Sequence, residues 1–174
     1  MQRWSQGGFT LIEVLVALFV LALGVAGAAG TQLSSARLRQ QAALESEAVQ
    51  LAASLGARMR VNAALPDASN PYLGFDYDAA GGAPDAPSVQ CFGTACDPAQ
   101  LAAFDLYEAA RIVHGAFPGG RIAVCRDAGG WNSALQSFEW NCSGGAGAPV
   151  VVKLGWHIPG ASTAAPVVVM VVSA

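Results

Sequence analysis

One carboxylate, Glu13, stands inside an apolar run that opens at Gly8-Phe9-Thr10-Leu11-Ile12-Glu13-Val14-Leu15-Val16-Ala17-Leu18 and continues to about Gly30. A Pro-free run of about 20 such residues reads as a membrane-spanning helix. An ionisable group in a span is costly and marks function by default, so Glu13 needs a partner when the protein works. The other chemistry-bearing residues offer less. His114 and His157 have no Ser, Cys or carboxylate at a catalytic spacing, and the spacing of Asp76, Asp78 and Asp85 matches no calcium loop. There is no GxSxG, HExxH or phosphate loop, and no paired-carboxylate motif. No catalytic residue, metal or cofactor is expected, and the chain reads as a non-enzyme.

The four cysteines, Cys91, Cys96, Cys125 and Cys142, all follow the apolar run. An even number in a small loop-rich region suits disulfides and an oxidising compartment. No CxxC pair and no His at ligand spacing supports zinc. Three pairings exist. Cys91 and Cys96 flank only four residues, and Cys125 and Cys142 fall on neighbouring strand candidates, so Cys91 is expected to pair with Cys96 and Cys125 with Cys142.

The elements that must position Glu13 and the cysteines follow from length and pattern. The chain has 174 residues, enough for one span and one modest head. Its formal charge of -3 gives no footprint for nucleic acid. Arg37 and Arg39 beyond the span outnumber Arg3 before it, against the usual orientation rule. A large domain translocates largely regardless of such charges, so the cysteines decide and the N-terminus is expected in the cytoplasm. Ala26-Gly27-Ala28 resembles a signal-peptide cleavage site, but an early carboxylate suits a helix that is kept.

From Thr31 to Asn62 there is no Pro and a single Gly, Gly56, which predicts continuous helix. Leu44, Ala48, Leu51, Leu55 and Met59 form an apolar stripe at spacings of three and four. One helix from Phe9 to Asn62 would be roughly 80 Å long, more than a bilayer requires, so its outer half is expected to pack on the head. Gly24, Gly27 and Gly30 permit either local bending or close approach of another helix.

Leu65 to Pro87 reads as a loop with solvated acidic residues. Asp97-Pro98-Ala99-Gln100 then starts a helix expected to run to about Val113, burying Leu101, Phe104, Ala109 and Ile112. Four strands are expected at Arg121 to Arg126, Ser137 to Asn141, Val150 to His157 and Val167 to Ser173, forming an antiparallel meander, with the last a buried strand. The fold class is α+β: a long N-terminal helix on an antiparallel sheet of about four strands, with one additional helix.

The segment from Gly8 to Leu18 resembles the processing and assembly signature of type IV prepilins and pseudopilins. Leu51 to Asn62, Cys96 to Glu108 and Phe117 to Cys125 are similar to PilV-type minor pilins, also called type IV pilus modification proteins. Ala109, where an aromatic is expected, and the long Gly- and Ala-rich loop before Cys91 depart from that pattern.

The resemblance implies the type IV pilin fold, with a prepilin leader over 1–8 and a transmembrane helix over 9–30. The outer helix would cover 31–62 and a periplasmic head 63–174. It implies that prepilin peptidase cuts between Gly8 and Phe9 and methylates Phe9, and that Glu13 is the assembly carboxylate, pairing with the new amine of a neighbouring subunit. The implied partners are other minor pilins and the major pilin, with the inner membrane as host before assembly and no nucleic acid bound directly. The implied role is to help initiate the pilus in a tip complex, supporting adhesion, twitching motility or DNA uptake. The alternatives are a minor pseudopilin of a type II secretion system and a secreted binding protein or enzyme with an ordinary signal peptide.

Overall fold

The computed structural model describes residues 8–62, 69–145, 147–158 and 165–173. Arg3 and leader residues 1–7 lie outside the described residues, as do residues 63–68, which include the start of the expected loop.

The first helix, α1, runs Leu11–Val61 without a break. The chain divides into two compact units at Ala42 and Ala43, so α1 contributes to both. In the first unit it is a rod whose large apolar side chains are exposed.

In the second unit, the remainder of α1 buries Ala48, Ala52, Leu55, Gly56 and Met59, with Leu44 and Leu51 half-buried beside them. This is the expected stripe, completed by two small residues. Gly56 is small because a Cβ there would lie 2.7 Å from Val172 Cγ1. Strand and helix can meet this closely only without a side chain.

The remaining elements are β1 (Phe75–Asp78), a 3-10 turn (Ala79–Gly81), α2 (Pro98–Ala116), β2 (Arg121–Arg126), β3 (Trp131–Asn132), β4 (Ser137–Phe138), β5 (Val150–Gly155) and β6 (Val168–Ser173). Four strands form an antiparallel sheet in the order β1-β2-β5-β6, and β3 with β4 makes a separate two-stranded hairpin. Ile122 and Val124 of β2, with Val150, Val152 and Leu154 of β5, join the α1 stripe and α2 in one core. Each fully buried Val or Leu there contributes about 1.5–3 kcal/mol. The α+β class expected from the sequence, that of the type IV pilin fold, is the one observed.

Four details differ from the sequence expectations. The fourth strand of the sheet is β1, which lies inside the segment read as loop. It has only four residues, and two of them, Asp76 and Asp78, disfavour strand by propensity. Its alternation nevertheless turns Phe75 and Tyr77 toward the core.

The expected strand at Ser137 to Asn141 stops at Phe138 and pairs with β3 rather than with the main sheet. The carbonyls of Glu139 and Asn141 accept instead from Lys153 Nζ, each at 2.7 Å. Cys142 therefore lies in a loop.

Helix α2 begins with the expected capping box, Asp97 Oδ1 accepting from Gln100 N at 2.8 Å and Gln100 Oε1 from Asp97 N at 3.1 Å. It continues past Val113 to Ala116, and it buries Ala102, Phe104, Leu106, Ala109, Ala110 and Val113. Ile112 sits at the solvent side of that face, 37% exposed. Finally, β6 is an edge strand rather than a buried one, with Val171 61% exposed.

Candidate functional site

Gly8, Phe9 and Thr10 are exposed and precede the helix. The helix is opened by the Thr10 carbonyl, which accepts from Glu13 N at 3.1 Å and Val14 N at 3.3 Å. The Gly8–Phe9 bond is thus outside regular structure, where an enzyme can take it in extended form. Phe9 is 83% exposed.

Glu13 lies in the first turn of α1, where the unpaired amide N–H groups of a helix start favour an anion. Among the described residues no cation pairs with it. A carboxylate held one turn from an exposed chain segment, on a helix long and apolar enough to cross a membrane, can meet its counter-charge only from outside the described chain.

The apolar side chains around Glu13 have no cover among the described residues either: Leu15, Val16, Phe19 and Leu23 are all exposed. A Cβ added at Gly24, Gly27 or Gly30 would meet nothing within 4 Å. Their small size answers to no neighbour among the described residues.

In the second unit the four cysteines form two bridges, Cys91 with Cys96 and Cys125 with Cys142. The histidines are not brought together. His114 Nδ1 lies 2.9 Å from the Tyr77 hydroxyl, which donates to the Gly82 carbonyl at 2.8 Å, so the imidazole supplies the proton of the first contact. The His157 amide donates to the Pro118 carbonyl at 2.8 Å. No group of three metal-ligating side chains occurs among the described residues. Asp76 and Asp78, read as solvated, both have structural partners: Asp76 takes Arg121 in a fork at 2.9 and 2.5 Å, and Asp78 Oδ1 accepts from Ala80 N at 2.8 Å.

Two polar clusters escaped the sequence reading. Lys153, the single lysine of the chain, is fully buried in β5 with its ammonium 2.6 Å from Asp127 Oδ2. Asp127 Oδ2 makes no well-directed hydrogen bond, so the contact is an ion pair first. Burial alone would raise the Asp127 carboxyl. Lys153 and the donors Ser143 and Gly129 outweigh burial and hold it well below the usual carboxylate range.

The second cluster ties α1 to α2: Arg58 Nη1 donates to Asp105 Oδ1 at 2.8 Å, and the Tyr72 hydroxyl donates to Asp105 Oδ2 at 2.6 Å. Burial, and then the Asp105 carboxylate, push the Tyr72 phenol well above its ordinary value. A lone Lys inside Val150-Val151-Val152-Lys153-Leu154 was the sequence signal for the first cluster. The second had none, because its members are far apart in the chain.

The prokaryotic N-terminal methylation motif matches residues 5–29, the stretch that contains Gly8, Phe9, Glu13 and the apolar run. This supports a type IV pilin-like prepilin, whether pilin or pseudopilin. A motif of this type implies processing by prepilin peptidase and assembly with other pilins, and together with the apolar helix it fits a membrane-anchored chain. No curated protein and no solved structure matches the chain.

Proposed function

We propose that this chain, a type IV pilin-like prepilin by its methylation motif, is a non-enzymatic minor pilin of the PilV type that helps initiate the type IV pilus in a tip complex with other minor pilins. The motif over 5–29 carries the reading, and the PilV-like segments after it narrow it. Prepilin peptidase removes residues 1–8 and methylates Phe9. The mature helix waits in the inner membrane over residues 9–30, with residues 31–62 and the head, 63–174, in the periplasm, and then enters the pilus.

Cleavage creates an amine at Phe9. In an apolar medium an unpaired carboxylate is costly, so Glu13 of one subunit and the Phe9 amine of the next neutralise each other on assembly. The uncovered apolar surface of α1 is then buried among neighbouring helices.

The methylation motif supports a second reading, a minor pseudopilin of a type II secretion system. Deletion of the gene, complemented with the wild type or with Glu13→Ala, tests both. Loss of surface pili on deletion, restored by wild type and not by Glu13→Ala, is the expected result in a strain without redundant minor pilins. Intact pili with abolished exoprotein secretion favours the pseudopilin, and full restoration by Glu13→Ala refutes the role of the carboxylate.

A further inference from the structure

Between α2 and the loop after β1 lies an open groove of about 450 Å³ that the proposed function does not use. Phe75, Tyr77 and Tyr107 line it together with Pro84, and Asp78 and Asp85 stand along it. A third carboxylate in the lining, Asp76, is already neutralised by the Arg121 fork. Asp78 lies opposite Arg121 in the β1–β2 register and accepts from Ala80 N, which leaves Asp85 as the lining carboxylate without a cationic partner among the described residues; the Tyr107 hydroxyl has no partner among them either.

The head as a whole carries more acidic than basic side chains. From Ala43 onward the chain has six basic and eleven acidic side chains. Aromatic rings beside one unpaired carboxylate, Asp85, suit a cation that can lie flat on a ring while it bonds to that carboxylate, which describes a guanidinium better than an ammonium. The rod of this chain shows the same chemistry outside the head: Arg37 and Arg39 are exposed and have no partner among the described residues.

We propose that this groove docks an arginine side chain projected by a neighbouring pilin subunit. The identity of the partner rests on the assembly reading; the chemistry of the groove does not.

The test uses the full chain in detergent micelles and a fluorescein-labelled Gly-Arg-Gly-Arg-Gly peptide, followed by anisotropy, with the Lys counterpart as competitor chemistry. The Arg peptide should bind saturably and more tightly than the Lys peptide. Asp85→Asn and Tyr107→Ala should each weaken it about two- to fivefold, the scale of one exposed ion pair or cation–π contact. Asp85 is exposed in a loop, so Asp85→Asn keeps the test sound if Tyr107→Ala perturbs folding. Glu45→Gln, which removes the same charge from an exposed α1 position outside the groove, should leave binding unchanged. No binding, equal affinity for the Lys peptide, or equal weakening by Glu45→Gln would each overturn the proposal. None of these results touches Phe9 processing or Glu13 pairing, so the assembly reading is judged separately.

Discussion

Leu15, Phe19 and Leu23 are more than half exposed, while Leu55 and Met59 on the same helix are buried. The residue types are alike, and the difference lies in what faces them. From Ala43 onward the sheet, α2 and the α1 stripe bury one another, and the polar groups that come with them are paired, as Lys153 is with Asp127 and Arg58 with Asp105. Up to Ala42 nothing in the chain covers the apolar surface or pairs Glu13 among the described residues. The head thus buries its own core among the described residues. On the proposed function, the rod is completed by lipid and then by other subunits.

The sharpest way to separate the two regions is to damage each and measure both. Lys153→Met leaves Asp127 buried without its cation and should lower head stability by about 3–5 kcal/mol in urea denaturation. The same pair sets a pH dependence. Because the folded Asp127 carboxyl lies below its unfolded value, its stabilisation is present above about pH 4 and is lost as the pH falls further. The urea midpoint should drop on acidification through that range, and in Lys153→Met it should drop less.

Replacing Cys125 and Cys142 by Ser opens a loop with a sequence separation of 17 and should cost about 3 kcal/mol, measured by thermal unfolding in detergent. Gly56→Ala drives a methyl into Val172 and should cost about 1–3 kcal/mol. Gly27→Ala, with nothing within 4 Å, should leave head unfolding unchanged to within about 0.5 kcal/mol. A head destabilised by Gly27→Ala would break the comparison, because the rod would then be supporting the head from within the chain.

These effects also mark what could be read from sequence. The α1 stripe was legible because one face of a helix repeats every three to four residues, and the α2 start because Asp97, Pro98 and Gln100 each fit a separate requirement of a helix N-terminus. Strand β1 was not, since two aspartates in four residues mask its alternation and its place depends on pairing with β2, distant in sequence. Ser137 to Asn141 looked like sheet because apolar and polar residues alternate there, yet the competing acceptor role of its carbonyls toward Lys153 is a tertiary fact. Ile112 and Ala110 exchanged places because the helix phase is fixed by what α2 packs against.

For the candidate site, Glu13 stands out in the sequence as a charge out of place, and the methylation motif over 5–29 contains it together with Gly8 and Phe9. The groove beside Tyr107 was not, because it joins residues from β1, the following loop and α2.

The central claim is that the rod is a processed and retained assembly helix. Mass spectrometry of the mature N-terminus tests it directly. The account predicts a chain that begins at Phe9 and carries a methyl group on its amine. A chain that begins near Ala29, or one that keeps Met1, would contradict it.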